Sequence, residues 1–80
     1  MESDKKIDNE LDFHSIYNAF RPKIVRYLGN MVGWRDAEDL TQDVFVKVNQ
    51  SLKTFKGESQ VSTWIYRIAT NAAIDKLRTP

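Results

Sequence analysis

Cysteine is absent from this chain of 80 residues, and histidine occurs once, at His14. Without a thiol there is no disulfide framework, no thiolate zinc site and no cysteine nucleophile. A single imidazole, with no second histidine at metal-ligand spacing, reads as a structural side chain of an amphipathic helix. There is no glycine-rich phosphate loop. Asp39 and Asp43 lie one helical turn apart but lack the close-set oxygen ligands of a calcium loop, so no metal is expected there. No apolar run approaches bilayer length, and the start Met1-Glu-Ser-Asp-Lys-Lys6 has no hydrophobic core of a signal peptide. The expectation is a soluble, cytoplasmic binding protein, not an enzyme, without membrane insertion and without a cofactor.

The length suits one small domain near the lower limit at which a single core is stable without staples, so apolar burial must hold the fold. Net charge is only +1, but its distribution is uneven. Met1 to Asp43 holds nine acidic and six basic residues, and Val44 to Pro80 holds two acidic and six basic. A chain divided in this way can offer one surface to a basic partner and another to a polyanion.

Nothing in the chain alternates with the period of a half-buried strand, and the apolar spacings are helical throughout. The expected fold is all-α, a compact bundle of about four helices without internal repeats. Residues 1–10 are polar apart from Ile7 and are expected to form a flexible tail, with the helical domain over 11–78. A first short helix runs from Leu11 to Phe20 on Leu11, Phe13, Ile16, Tyr17 and Phe20. Pro22 then kinks one long helix or, as favoured here, opens a second one carrying Ile24, Val25, Leu28, Met31 and Val32 up to a turn at Gly33. Gly29, inside that helix, suggests close backbone packing.

The third helix, Asp36 to Leu52, buries Ala37, Leu40, Val44, Val48 and Leu52, with Asp36 as its expected cap and Glu38 and Asp39 near the positive end of the dipole. On its other face Asp39, Gln42, Asp43 and Val46 recur at spacings of three and four. Two carboxylates, an amide and a bare apolar group on one outward strip can hold a partner; the alternative is a solvated acidic face. After the loop Lys53 to Gln60, a last helix spans Val61 to Arg78. Its stripe Val61, Ile65, Ile68, Ala69 and Ala72, with Ala73 and Leu77 at a margin, faces the core. Thr63, Arg67, Thr70, Asn71, Ile74 and Arg78 fall opposite, at about 100 degrees per residue. Arginine, asparagine and threonine reach phosphate oxygens and base edges, and the loop adds Lys53, Phe55 and Lys56. Trp64 lies between the faces, available to the core or to a stacked, unpaired base.

Asp36-Ala-Glu-Asp-Leu-Thr-Gln-Asp-Val-Phe45 resembles the stretch "aEDLvQevF" of region two in the sigma-seventy class of bacterial transcription initiation factors, in its extracytoplasmic-function (group four) branch. The segment FKGESQVSTWIYRIATNAAIDKLR, from Phe55 to Arg78, resembles the family's stretch "F-x-G-x-s-x-f-x-T-W-l-y-R-I-A-x-N-x-x-i-D-x-x-R". Phe20-Arg-Pro-Lys23 resembles the junction of its first two helices, and the likeness runs from about Leu11 to Arg78.

The resemblance implies a transcription initiation domain. It implies that Asp39, Gln42 and Asp43 bind the clamp helices of the beta-prime subunit of core RNA polymerase, a basic coiled coil suited to an acidic strip, and Val46 of the same outward strip is expected to join that contact. It also implies that the loop and last helix recognise promoter DNA, holding the melted, single-stranded non-template strand of the minus-ten element. The implied base pocket is Phe55, Lys56, Gly57, Glu58 and Ser59 with Asn71 nearby, and Thr63, Arg67 and Arg78 serve the backbone or adjacent bases; Trp64, from its place between the faces, is expected to join the DNA surface. An anti-sigma factor is the further partner implied. Arg67 and Ile68 stand where primary sigma factors carry a duplex-wedging tryptophan pair, so strong autonomous melting is not expected, and Val61 stands where many relatives have an aromatic. The second, minus-thirty-five-reading domain of the family is not in this sequence, and Thr79 and Pro80 are read as the start of the linker to it. From a different class, the alternative is a helical protein-interaction module without nucleic-acid binding, whose basic end is merely solvated.

Overall fold

The computed structural model describes residues 12–55, 57 and 59–78. The expected tail, Leu11, the loop residues Lys56 and Glu58, and the linker start at Thr79 and Pro80 lie outside the described residues. Three α-helices and one 3-10 turn make up the regular structure among them: α1 (Phe13–Val32), α2 (Trp34–Ser51), the turn Leu52–Thr54, and α3 (Val61–Arg78). The fold is all-α, with three helices where about four were expected.

The difference arises at Pro22. It sits inside α1, and the segments expected to meet there are one continuous helix. Proline cannot donate to the carbonyl of Asn18, four residues earlier, but Asn18 and Pro22 are both exposed, so water can serve that carbonyl. The helix starts at Asp12, whose carboxylate accepts from the Ser15 amide at 3.3 Å. Ile16, Ile24 and Leu28 are buried on its inner face.

Gly33 alone joins α1 to α2. Its amide donates to the Gly29 carbonyl at 3.0 Å, and its φ of 96° with ψ of 152° turns the chain back at once. Because α2 begins at Trp34, Asp36 is not its cap but lies in its first turn, where a carboxylate still meets the positive end of the helix dipole. The expected close approach at Gly29 is real. The Trp34 indole lies against it, and a Cβ there would overlap the ring carbons Cε3 and Cζ3.

Behind this turn α2 returns alongside α1, so that Phe45 meets Tyr17 edge-on at 5.1 Å and Phe13 at 6.4 Å near the other end. Ala37, Leu40, Val44 and Val48 are buried as their spacing predicts, and Leu52 is half-buried in the 3-10 turn. Phe45 and Thr41 are buried beside them. The Thr41 hydroxyl is tolerated there because it donates to the Ala37 carbonyl one turn back at 2.6 Å. From α3, Ile65, Ala69, Ala72 and Ala73 enter the core. Val61 and Ile68 are half-buried, and Leu77 is 61% exposed.

Candidate functional site

The outward face of α2 is set by the burial of its inner one. Once Leu40, Val44 and Val48 turn to the core, Asp39, Gln42, Asp43 and Val46 must face solvent, and all four are exposed. Val46 is 55% exposed, a bare apolar group one turn beyond Asp43. Beside it runs a groove of about 390 Å³ whose walls are Phe13, Tyr17 and Phe45 on one side and Gln42, Val46, Asn49 and Gln50 on the other. A second groove, of about 400 Å³, opens on the other flank between α2 and α3, where Asp43, Val46 and Gln50 meet Ala72 and Asp75. Val46 is therefore a ridge between two hollows, a shape suited to a partner helix with side chains on both sides.

Asn49 and Gln50 were not singled out from the sequence. Their signal was available, since they follow Gln42, Val46 and Asp43 at helical spacing. The aromatic wall was not legible in this way, because it needs Phe13 and Tyr17 to be brought over Phe45 by the turn at Gly33.

On α3, Thr63, Arg67, Asn71 and Arg78 are exposed along one outward face, as the periodicity predicts. Arg78 comes within 4.0 Å of Asp75 on the same helix, with both side chains well exposed. Such a pair is weakly held and can be exchanged for a phosphate. Asn71 also lines a hollow of about 350 Å³ with Lys47, Gln50, Ser51 and Ile68. Thr70, placed opposite the core by periodicity, is instead half-buried. Its hydroxyl donates to the Tyr66 carbonyl at 2.7 Å, which leaves it to accept from the Tyr27 hydroxyl, also at 2.7 Å. Tyr27 and Tyr66 meet edge-on at 4.9 Å beside this link, so Thr70 fastens α1 to α3.

In the loop, Phe55 follows the 3-10 turn, and its amide closes that turn on the Leu52 carbonyl at 3.2 Å. Gly57 is exposed with φ of 74°, and Ser59 is half-buried. The Phe55 ring stacks on Trp64 at 4.4 Å between centroids and 23° between planes. Both rings are half-buried, and Trp64 also packs against the core. The two aromatic candidates are thus one unit, with an inner ring held by the core and an outer ring held by the inner one. Among the described residues, no group of three or more histidine, cysteine or carboxylate side chains could hold a metal ion. No helix among them is long and apolar enough to cross a membrane.

Residues 16–79 match the family model described as Sigma-70 region 2. Among curated proteins, the chain is 36% identical over 75 residues to the ECF RNA polymerase sigma factor SigW of Bacillus subtilis, covering 92% of this chain and 40% of that protein. It is 36% identical over 61 residues to the ECF RNA polymerase sigma-E factor of Haemophilus influenzae, covering 76% of this chain and 32% of that protein. To the sigma-E factor of Escherichia coli K12 it is 33% identical over the same length, again covering 76% of this chain and 32% of that protein. The chain therefore spans well under half the length of these relatives. No solved structure gives a significant match.

Proposed function

This chain belongs to the Sigma-70 region 2 family, with extracytoplasmic-function sigma factors as its relatives, and from that premise we propose that it serves transcription initiation by docking on core RNA polymerase and holding melted promoter DNA. The observation that carries the reading is the outward strip of α2. Asp39, Gln42, Asp43 and Val46 are all exposed while the residues between them close the core. The strip is assigned to the clamp helices of the beta-prime subunit. Its carboxylates meet basic side chains of that coiled coil, and Val46 with the flanking grooves supplies the apolar contact that a charged surface alone lacks.

The loop and α3 are assigned to the non-template strand of the minus-ten element. Thr63, Arg67, Asn71 and Arg78 offer donors to phosphates and base edges. Phe55, stacked on Trp64 and only half-buried, is assigned to an unpaired base, so the Phe55–Trp64 pair works as a platform anchored in the core. Lys56, Gly57, Glu58 and Ser59 are assigned, with Phe55, to the base pocket. An anti-sigma factor that covers one of these surfaces, and a cytoplasmic setting beside the polymerase, complete the proposal.

The test is titration of this chain with a beta-prime clamp-helix fragment, comparing the wild type with folded Asp39→Ala and Gln42→Ala variants. Loss of binding in the variants is expected. Absence of binding by the wild type would return the strip to a solvated face and leave an interaction module of another kind. For the DNA surface, Phe55→Ala is expected to weaken binding of a single-stranded minus-ten oligonucleotide by about 1–3 kcal/mol. Unchanged affinity would make Phe55 a packing residue only.

A further inference from the structure

Charge in this molecule is sorted by helix. Between Phe13 and Val32, α1 carries Arg21, Lys23 and Arg26 and not one carboxylate. Helix α2 sets Asp36, Glu38, Asp39 and Asp43 against Arg35 and Lys47. Helix α3 sets Arg67, Lys76 and Arg78 against Asp75 alone. A merely solvated helix face ordinarily mixes signs, because pairs one turn apart support the helix and like charges weaken it. An acid-free basic helix of this length is uncompensated by its own sequence.

Among the described residues, its neighbours do not compensate it either. Lys23 and Arg26 are exposed, and among the described residues the ion pairs are Lys76 with Asp36 and Arg78 with Asp75. The Lys23 ammonium lies 5.5 Å from the centre of the Phe20 ring, so its stem is laid on apolar surface while the head stays free for an anion.

Packing then decides where these cations stand. Tyr27 touches Tyr66 and Thr70, while Lys76, further along α3, reaches Asp36 just beyond the end of α1. Helices α1 and α3 therefore run side by side in the same direction. Lys23 lies one turn before Tyr27 on the same flank of α1, and Arg26 lies further round toward solvent. Arg67 lies between Tyr66 and Thr70 in the chain, on the outward side of α3. The outer strips of the two helices meet at the Tyr27–Thr70 seam, with Lys23 and Arg26 on one bank and Thr63 and Arg67 on the other. Arg21 falls on the opposite flank of α1 and is half-buried.

We infer that the DNA-binding surface crosses this seam onto α1, where Lys23 and Arg26 contact phosphates of the DNA held by α3. The inference rests on the DNA reading above and adds to it a sequence-independent contact on α1, a helix to which that reading gives no part in DNA binding. Backbone contacts of this kind set register and affinity rather than sequence choice.

The experiment measures the salt dependence of binding of this chain to a short fluorescent single-stranded DNA and to its duplex. The variants are K23Q/R26Q, the charge-preserving K23R/R26K, the control R35Q on α2, and R67A, each first shown to melt like the wild type. For K23Q/R26Q the slope of log K against log salt is expected to be shallower by roughly 0.7 per lost contact on the single strand, or roughly 0.9 on the duplex. K23R/R26K and the α2 control are expected to keep the wild-type slope. The probe on which the change appears identifies which form of the backbone α1 touches. An unchanged slope for K23Q/R26Q on both probes, or an equal loss in the α2 control, overturns the inference. If R67A alone flattens the slope, the α3 reading stands while the α1 contact falls. No binding by the wild type at low salt removes both.

Discussion

Gly33 carries more of the architecture than any other single residue, since it ends α1, starts α2 and is the whole connection between them. Its backbone, at φ 96° and ψ 152°, lies in a region open essentially to glycine. A Cβ there would meet nothing within 4 Å, so a larger residue is opposed by its own backbone and not by a neighbour. Gly33→Ala is therefore expected to destabilise the fold by about 1–3 kcal/mol. Urea unfolding checks this, with a lower midpoint at an unchanged slope. A midpoint equal to the wild type would mean that the turn can relax to an ordinary backbone. The same residue explains the misplaced cap. Asp36 has the chemistry of a cap, and nothing local reveals that α2 can begin at Trp34, two residues after the end of α1 at Val32. What decides it is the tertiary contact of Trp34 with Gly29 and of Asp36 with Lys76, at 3.9 Å.

At the scale of elements, Pro22 is the informative departure. A proline in a helical pattern is compatible both with a fresh start and with an interior position whose missing hydrogen bond faces water, and the local sequence does not separate the two. The buried stripe separates them, because Ile16, Ile24 and Leu28 are buried on one continuous helix. If the helix is unbroken, Pro22→Ala restores the bond to the Asn18 carbonyl on an exposed face. It is expected to raise stability by about 1–3 kcal/mol, seen as a melting temperature higher by several degrees. A lower melting temperature would show that the proline shapes α1 for its packing on α2 and α3. The core stripes of α2 and the outward face of α3 were legible because burial follows a period of 3.6, and exposure of the opposite face follows from it. Thr70 was not, since its role depends on Tyr27, which lies 43 positions earlier in the chain. The basic character of α1 was hidden for a related reason. Splitting the chain at Asp43 pools the basic α1 with the acids that precede it, whereas the fold groups α1 with α3.

For the molecule as a whole, this grouping sets the cations of the α1–α3 seam across the core from the acidic strip of α2. The acidic strip of α2 points away from the core, and the seam between α1 and α3 lies on the far side of it. With helices packed 8–10 Å apart, the two outer surfaces stand roughly 20 Å from each other. That exceeds the Debye length of about 8 Å at physiological ionic strength, so charges on one face are screened from a ligand on the other. A domain built in this way can hold a basic protein partner and a polyanion together, and the two ligands come near each other only along the α2–α3 flank, where Asn71 shares a hollow with Lys47 and Gln50. Asp39→Ala and Asp43→Ala are then expected to leave DNA affinity at physiological salt unchanged within about 0.5 kcal/mol, and to raise it only in dilute buffer, where screening is weak. In the converse arm, Arg67→Ala should leave affinity for the clamp-helix fragment within the same bound. Measuring both ligands against both sets of variants checks the arrangement. A loss in the wrong column at physiological salt would mean that the two faces communicate through the core, by way of the aromatic contacts of α1 with α2 and the Tyr27–Thr70 link to α3.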